Sequence, residues 1–456
     1  HQLVNHEVAT VVATVRTAEP SADAVSLLWK DRVLRRIELQ PLSQPESEAL
    51  LVSVLGAVSP DCAHRMWKLT RGNVLFLRHL VEQELAAGRL VSAEGQLHWM
   101  TGLSVSPTLV ELVEAQIGAV PGDVRDVVDL VAVADPTPAR RRQARLLGIK
   151  AVADLDSLLA LGLDVVDICT PPHLHEAQIV QCLEAGVDVV CEKPLVDSVE
   201  AVDRLAEVEA RTGRRVAPIF QYRWGAGSQK LKRLLDAGIP GRLLVATSET
   251  MWKRGDAYYA VDWRGTWQGE RGGAVLSHAI HLHDLLTWLG GAPAEVVART
   301  ATRKLAIEVE DSAAAIITTD DGALMTATVT LGAATETSRL RFCFEHLTVE
   351  SSQSPYKPGA EPWTFHYASK DVERQAAAAL DGWSPPLSGW RGQLAATQEA
   401  LVSGGPLPVS LDDARTALEV VTAWYRSSRT GFPEQLPLAP DHPDRASWLP
   451  EDLRPT

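Results

Sequence analysis

The chain of 456 residues carries 44 Lys plus Arg against 58 Asp plus Glu, which gives a formal net charge of −14. This length predicts two or three domains, because single cores rarely grow past roughly 250–300 residues. Hydrophobic residues at 46% and charged residues at 22% are typical of a globular protein. The acidic balance excludes nucleic acid as an expected partner, since phosphate contacts need clustered Lys and Arg.

Cysteine content and hydropathy set further limits. Five cysteines without a C-x-x-C pair fit a reducing, cytoplasmic compartment and provide neither a zinc site nor a disulfide framework. No apolar run approaches the roughly 18 residues that a membrane helix needs, so we expect no membrane association. No secretory signal is visible, and the chain begins with His1, as a fragment would.

The first 125 residues form a mixed, helix-rich region. A β-type run at Ala9–Arg16 precedes helical spacing of apolar residues at Ser47–Leu55, Cys62–Leu69 and Phe76–Leu85. An amphipathic stretch at Thr108–Ile117 begins directly behind a proline, as is usual at a helix start. We therefore predict a separate helix-rich domain over this part of the chain.

From Asp126 onward, strand-like runs alternate with helical segments. The strand candidates are Val127–Ala134, Val165–Cys169, Val187–Cys191 and Arg215–Phe220, and the helices between them are Ala139–Leu147, His173–Ala185 and Val199–Ala210. Apolar strands with helical crossovers predict a parallel, doubly wound sheet with helices on both faces. We assign residues 126–223 to this α/β domain.

Residues 224–432 are predicted to form a third part with a large open sheet. A long helix candidate, Ala274–Leu289, precedes β-rich runs at Glu295–Thr302, Ser312–Thr319, Ala323–Thr330, Arg339–Phe344 and Leu347–Ser351. The hairpin signal at residues 320–322 predicts a mostly antiparallel sheet. Late helices are predicted at Asp371–Leu380, Leu394–Val402 and Leu411–Tyr425, and a proline-rich surface tail over residues 433–456.

Polar residues follow two of the predicted parallel strands. Thr170-Pro171-Pro172 comes after one strand, and Glu192-Lys193 closes another. Ligands in such sheets lie outside the carboxyl ends of the strands, so both loops are candidates for a binding site. A lysine there can donate and accept a proton if burial lowers its pKa. The alternative is a solvated ion pair at a strand end.

Asp135 ends the first strand of this domain and has two interpretations. Its carboxylate is placed to accept hydrogen bonds from a ribose. It is equally placed to be a helix N-cap or a turn residue before Pro136.

His281 lies on the long predicted helix, with Ser277 four residues earlier and Asp284 three residues later. This spacing puts the three side chains on one helix face. His278 and His283 add to an apparent metal cluster, but their spacing sets them apart from His281 and no distant carboxylate motif completes a site. We expect no metal here and place His278 and His283 in the core.

Together these motifs resemble the Gfo/Idh/MocA family of nicotinamide-dependent oxidoreductases. The resemblance covers about residues 130–431 and is carried by Val131–Pro136, Thr170–His175, Cys191–Pro194, Gln221–Trp224 and Gly272–Asp284. It implies a Rossmann-like domain, NAD or NADP as cofactor, and hydride transfer between nicotinamide and a sugar or polyol hydroxyl. It also implies a homo-oligomer that pairs through the open sheet.

The resemblance implies roles for individual residues. Lys193 would be the catalytic lysine and His281 the second catalytic group, while Ser277 occupies a position that is commonly Asp or Asn. The implied cofactor residues are Asp135, Thr170, Pro171, Pro172, His175, Glu192, Lys193 and Gln221, and the implied substrate residues are Arg223, Trp263, Trp267 and His281. Indole faces stack on sugar rings, although packing is the alternative for any single tryptophan.

A glycine loop is the one family element that is missing. The G-x-G-x-x-G sequence that brings the backbone close to a pyrophosphate has no counterpart here. Instead, motifs at residues 9–16, 24–31, 39–42 and 69–77 resemble the second half of a P-loop ATPase domain of LuxR-type regulators, without its phosphate-binding sequence. We therefore hypothesise a gene fusion with weak or absent cofactor binding. The alternative function is a catalytically idle regulatory or binding protein.

Overall fold

The computed structural model describes residues 42–70, 72–86, 90–93, 96–99, 131–146, 148–261 and 263–454. The chain divides into two compact units, His1–Val120 and Pro121–Thr456. The predicted strand at Ala9–Arg16 and the predicted helix at Thr108–Ile117 lie outside the described residues, as do most of the ATPase-like motifs and the stretch directly before Val131. The ATPase resemblance and the fusion therefore stay predictions.

The described part of the first unit is a small helical body with one hairpin. Its elements are α1 Gln44–Leu55, α2 Pro60–Thr70, α3 Val74–Ala86, β1 Leu90–Ala93 and β2 Gln96–Trp99. The strands pair antiparallel, and the three helices confirm the predicted apolar spacing. Trp99 is buried at the end of β2, and its indole N–H donates to the Glu84 carboxylate at 2.7 Å.

The second unit opens with parallel strands and crossover helices. In order, the elements are β3 Ala132–Ala134, α4 Pro138–Leu146, β4 Lys150–Val152, α5 Leu155–Leu159, β5 Val165–Ile168, α6 His175–Glu184, β6 Asp188–Cys191, α7 Val199–Thr212 and β7 Val216–Pro218. β3 pairs with β4, and β5, β6 and β7 pair in that order, all in parallel. The predicted Rossmann-like pattern is confirmed, with β4 and α5 as additions to the predicted elements.

An eight-stranded sheet dominates the rest of the second unit. Its strands are β8 Leu243–Lys253, β9 Pro293–Ala301, β10 Ser312–Thr319, β11 Leu324–Thr330, β12 Gly332–Phe344, β13 Leu347–Glu350, β14 Thr364–Tyr367 and β15 Glu434–Gln435. The spatial order is β14-β13-β12-β8-β11-β10-β9-β15, and within it β8 and β11 are parallel while the other pairs are antiparallel. This arrangement confirms the predicted large, mostly antiparallel sheet. The predicted hairpin joins β10 to β11, with Gly322 at φ 87°.

The sequence does not predict the central strand β8, because two residues on its buried face are polar. Ser248 and Thr250 are buried on that face beside Ala246 and Trp252. Polar residues at buried positions break the alternation of apolar and polar residues that marks a half-buried strand.

Helices cover the sheet, and one of them begins irregularly. The helices are α8 Ala226–Asp236, α9 Asp256–Tyr259, α10 Trp267–Glu270, α11 Ile280–Gly290, α12 Lys370–Ala379, α13 Gly389–Ser403 and α14 Leu411–Thr430, and none in the described chain is long and apolar enough to cross a membrane. α11 packs on β8 and α14 on β9. The prediction of one continuous helix over Ala274–Leu289 is wrong at its start. Ala274–His278 is a π-helical turn that precedes α11.

The prediction of a surface tail is wrong for Asp444 and for residues 447–449, which are buried. Trp448 and Asp444 are fully buried. The Trp448 indole N–H donates to the carbonyl oxygen of Arg271 at 2.7 Å, and the Asp444 carboxylate accepts from Arg429 and Arg454. This segment is part of the core, because a buried indole and a buried, paired carboxylate hold it there.

We predict that Trp448→Ala lowers the free energy of unfolding of the second unit by about 3 kcal/mol, since it removes a fully buried indole and leaves a cavity. Leu453→Ala is the matched control, because Leu453 is 43% exposed in the same segment. Denaturant unfolding followed by tryptophan fluorescence measures both. Equal midpoints for the two variants would contradict the buried position of the indole.

Candidate active site

Lys193 is the second residue after β6, at the carboxyl end of the parallel strands. Its Nζ donates to the carbonyl oxygen of Ser277 at 2.7 Å, and its backbone N–H donates to the Glu192 carboxylate at 2.9 Å. Burial lowers the pKa of Lys193, while the carboxylates of Glu192 and Glu270 oppose that shift. The neutral form of the amine is therefore more populated at a given pH than in a solvated lysine. This suits a group that takes up and returns a proton.

Ser277 lies in the π-helical turn, and a buried carboxylate holds the start of that turn. Glu310 accepts from the backbone N–H groups of Gly273 at 3.2 Å and Val275 at 2.9 Å, and from the Tyr425 hydroxyl at 2.9 Å. Burial raises the pKa of Glu310 to about 7. A Cβ on Gly273 would come within 2.0 Å of the Glu310 carbonyl oxygen, so this close approach requires glycine.

His281 lies in the first turn of α11 and is 5% exposed. Its ring packs on Tyr222, with 4.5 Å between centroids, and meets the edge of Phe220 at 6.2 Å. Burial and the charge of Lys193 hold the pKa of His281 well below its usual range, so the imidazole is neutral. The Ser277 hydroxyl donates to the carbonyl oxygen of Gly272 at 3.1 Å. The fold thus brings together the three residues that the sequence points to as catalytic.

Asp135 stabilises the turn directly before α4 in the structure. Its carboxylate accepts from the backbone N–H of Thr137 at 2.7 Å and contacts Arg140 at 3.3 Å. The hydrogen bond from Thr137 is the main reason that the pKa of Asp135 is lowered. This geometry is that of a turn residue before Pro136, and the ribose interpretation stays a prediction.

His175 ties the two predicted cofactor loops together. Its Nδ1 lies 3.0 Å from the carbonyl oxygen of Pro194, and its Nε2 lies 2.7 Å from the carbonyl oxygen of Thr170. The ring is fully buried, and Thr170 donates its hydroxyl proton to Gln178 at 2.6 Å. His175 therefore fixes the spacing of the loops after β5 and β6, and direct contact with a cofactor stays a prediction for it.

The residues at these strand ends fit a dinucleotide. Pro171 and Pro172 lead into a 3₁₀ turn after β5, and Glu192 is only partly buried, so its carboxylate is available to ribose hydroxyls. The Oε1 atom of Gln221 is buried without a hydrogen-bond partner among the described residues, as expected for an amide that a bound ligand would satisfy. The cofactor roles of these residues stay predictions.

Arg223 is engaged in ion pairs, and its substrate role stays a prediction. Its Nε donates to Asp284 at 2.9 Å and its Nη2 donates to Asp413 at 2.8 Å. The guanidinium also lies 5.2 Å from the ring of Trp288, and Arg223 is only 4% exposed. Through Arg223, these contacts join α11 to the start of α14. The Asp284 carboxylate is used in this buried ion pair.

The segment from Trp263 to Trp267 borders the site through charge and aromatic contacts. The Arg264 guanidinium lies 4.6 Å from the Trp263 ring, and the Trp267 ring meets Tyr425 at 5.5 Å. The charges of Arg264 and Arg254 contribute to lowering the pKa of Lys193, so both arginines lie near it. The substrate role of the two tryptophans stays a prediction.

His283 and His278 are buried, as the sequence predicts. The His283 ring packs at 4.9 Å on Trp424, and burial lowers its pKa to about 4. His278 accepts from Arg254 at 3.3 Å and meets the edge of Trp252 at 5.9 Å. Within the described ranges, no three His, Cys, Asp or Glu side chains are grouped to hold a metal ion.

Sequence reasoning missed two carboxylates at the site, Glu270 and Glu310. Both are buried, at 3% and 4% exposure. Both stand among other polar residues, Glu270 beside Arg271 and Glu310 between Glu308 and Asp311, so no local pattern sets them apart. Their function depends on contacts with residues far away in sequence, which spacing alone does not reveal.

Two family models match the second unit. Residues 114–220 match the model described as oxidoreductase family, NAD-binding Rossmann fold, and residues 228–350 match the GFO/IDH/MocA C-terminal domain. The first match begins upstream of β3, in the stretch where the sequence shows no glycine loop. It gives no support to the expectation of crippled cofactor binding.

Curated relatives match over part of their length. D-glucoside 3-dehydrogenase of Escherichia coli (strain K12) is 31% identical over 176 residues, which are 37% of this chain and 49% of that protein. Inositol 2-dehydrogenase of Streptomyces avermitilis is 37% identical over 127 residues, 25% of this chain and 35% of that protein. The chain thus spans about half or less of the length of these relatives.

Solved structures match over most of their length. The WlbA dehydrogenase from Bordetella pertussis, in complex with NADH and UDP-GlcNAcA, is 28% identical with a TM-score of 0.62, covering 72% of this chain and 96% of that chain. Levoglucosan dehydrogenase in complex with NADH and levoglucosan is 20% identical with a TM-score of 0.58, covering 69% and 94%. The second likeness shows the fold alone.

We predict that Gly273→Ala abolishes the ordered start of the π-helical turn, because the added methyl group meets the Glu310 carbonyl oxygen. Overpacking of this kind costs about 1–3 kcal/mol. Differential scanning calorimetry should show a lower Tm for Gly273→Ala. Gly255→Ala is the control, since a Cβ there has nothing within 4 Å. An unchanged Tm in Gly273→Ala would contradict the close approach.

Proposed function

We propose that this chain, which belongs to the Gfo/Idh/MocA family of oxidoreductases through residues 114–350, is an NAD-dependent dehydrogenase of a sugar or polyol. The observation that carries the proposal is the convergence of Lys193 and His281. They are far apart in sequence, yet the charge of Lys193 contributes to the lowered pKa of His281, and Lys193 Nζ bonds to the turn that leads into α11. Lys193 lies at the carboxyl end of a parallel strand, where ligands bind in such sheets, and His281 packs on Phe220 and Tyr222, which follow the next strand.

The proposed chemistry divides between the cofactor and two side chains. When bound, NAD supplies the acceptor for the hydride that leaves the carbinol carbon. The neutral amine of Lys193 takes the proton of the substrate hydroxyl, so that the carbinol becomes a carbonyl and the amine an ammonium. The neutral imidazole of His281 hydrogen-bonds the same hydroxyl and orients it. Thr170, Pro171, Pro172, Glu192 and Gln221 are the residues that would hold the dinucleotide.

A sugar or polyol substrate is supported by the relatives and by the side chains near Lys193. The relatives include dehydrogenases of glucosides and inositol, and a solved neighbour holds a nucleotide sugar. Arg254 and Arg264 stack on the rings of Trp252, Tyr258 and Trp263 in this region. Guanidinium groups donate to hydroxyl oxygens, and aromatic faces pack on the apolar faces of sugar rings.

A homo-oligomer through the open sheet is part of the proposal. Val245, Ile316 and Leu324 are between 43% and 51% exposed and share one face of that sheet by register. Apolar side chains exposed together on a sheet are typical of a surface that another subunit covers.

We predict that the full chain binds NADH with micromolar affinity and oxidises a sugar or polyol with NAD⁺. Lys193→Met should lower kcat at least about 100-fold, because it removes the proton acceptor, while NADH still binds. Titration followed by NADH fluorescence measures binding, and a panel of sugars and polyols with NAD⁺ measures turnover.

Lys232→Met is the matched control, since Lys232 lies on α8 and pairs with Asp236 of the same helix. Equal turnover by Lys193→Met and wild type would refute the proposed role of Lys193. NADH binding weaker than millimolar would refute the proposed cofactor and would favour a binding or regulatory function.

A further inference from the structure

Arg264 is a partly buried arginine whose charge has no partner among the described residues. Its guanidinium carbon lies 3.9 Å from the centre of the Tyr258 ring and 4.6 Å from the centre of the Trp263 ring. In the described part of the chain, no oxygen atom accepts a hydrogen bond from this guanidinium and no carboxylate forms an ion pair with it. Its N–H donors are therefore available to a ligand.

Arg254, the second arginine of this region, already has a counter-charge. Its Nη1 lies 3.3 Å from the Glu336 carboxylate, and its Nε donates to His278 Nε2 at 3.3 Å. Its guanidinium carbon lies 5.0 Å from the centre of the Tyr258 ring, the same ring that Arg264 contacts. Of two neighbouring guanidinium groups, one is thus paired and the other is not.

Aromatic contacts place the unpaired guanidinium beside the proposed catalytic lysine. Lys193 Nζ donates to the carbonyl oxygen of Ser277 at 2.7 Å, and His278 is the next residue. The His278 ring lies 5.5 Å from the Tyr258 ring, and the Arg264 guanidinium contacts that same ring. One aromatic ring therefore separates Arg264 from the turn that bonds Lys193.

The loop that carries Arg264 is fixed through its backbone. The Arg264 N–H donates to the carbonyl oxygen of Val261 at 2.9 Å, and the Gly265 N–H donates to the Glu270 carboxylate at 2.7 Å. The Gly265 carbonyl oxygen accepts from the Glu308 N–H at 2.8 Å, and Gly265 has φ 72°, a conformation that favours glycine. A guanidinium on a fixed loop loses little freedom when it binds a ligand.

The charges around Arg264 leave room for an anion. Burial lowers the pKa of Arg264, the charge of Arg254 adds to that shift, and the charge of Glu270 opposes it. Arginine stays protonated in proteins, so the shift reports a cation that its surroundings stabilise poorly. An anionic group on a ligand would supply the counter-charge that the described residues do not provide.

We propose that Arg264 binds the carboxylate of the substrate, so that the sugar oxidised at this site is an acidic sugar such as a hexuronate. This inference rests on the proposed function. A guanidinium donates parallel N–H bonds to a carboxylate, and one unpaired guanidinium matches one negative charge. A phosphate carries about two negative charges, and Arg254 is already paired with Glu336. The carboxylate itself is unchanged when the carbinol is oxidised.

The first test compares sugars that differ only in this charge. D-glucuronate, D-galacturonate and D-mannuronate are each paired with the corresponding amide, which keeps the ring and its hydroxyl groups. With NAD⁺ and the wild-type chain, kcat/KM for the preferred uronate should exceed that for its amide at least about tenfold, because the amide cannot accept a charge-assisted hydrogen bond. Equal values, or higher values for hexose 6-phosphates than for uronates, would overturn the inference.

The second test asks whether Arg264 causes that preference. Arg264→Gln should lower kcat/KM for the uronate about tenfold or more and leave the value for the amide nearly unchanged. A role in packing alone would lower both values equally, which would contradict the proposal. Arg374→Gln is the matched control, because Arg374 is exposed on α12 and pairs with Asp371 of the same helix. This variant should keep the wild-type preference.

Binding without turnover separates this inference from the proposed function. Saturation-transfer NMR measures the affinity of the same uronates and amides, with and without NADH. A uronate that binds the wild type more tightly than Arg264→Gln, without any turnover, would support the anion site and sink the dehydrogenase. Turnover of neutral polyols with equal binding of uronates and amides would do the reverse. If Arg264→Gln does not fold, equal binding of uronates and amides to the wild type overturns the inference by itself.

Discussion

A lysine amine at the buried end of β6 is the constraint around which the second unit is arranged. An unpaired ammonium in such a place is strongly disfavoured, because the protein interior solvates charge poorly. The Ser277 carbonyl oxygen accepts from it at 2.7 Å, and the charges of Glu192 and Glu270 favour its ammonium form. These groups come from residues up to 84 positions away, so the environment of Lys193 exists only when both halves of the second unit are folded.

The irregular start of α11 follows from that requirement. A π-helical turn in place of a regular α-helical one is often found at functional sites. Here it occurs where Ser277 presents its carbonyl to Lys193, and Glu310 satisfies the N–H groups of Gly273 and Val275 that open the turn. The helix then runs on regularly through His281. The π-helical turn, the buried Glu310 carboxylate and Gly273 thus depend on one another. Glu310 bonds the start of the turn, and only glycine fits beside its carbonyl oxygen.

Much of the fold could be predicted from the sequence, because most strands bury apolar side chains with a regular period. The parallel strands and the hairpin at Gly322 belong to this class. β8 could not be predicted, since Ser248 and Thr250 occupy its buried face and tertiary packing overrides the pattern. Lys193 and His281 could be named because charges at strand ends and polar residues on an apolar helix are visible locally. Glu270 could not, because its partners are set by long-range folding.

The bond between Trp448 and Arg271 has a consequence for the order in which the site is assembled. A chain is synthesised from its N-terminus, and domains tend to fold as their residues emerge. The strands and helices that carry Lys193, Glu270 and His281 all precede residue 448. The carbonyl oxygen of Arg271, a residue in the left-handed conformation next to Glu270, gains its indole partner only after 177 further residues have been made. The segment around Arg271 therefore reaches its final set of contacts only when the C-terminal segment that carries Trp448 packs against it.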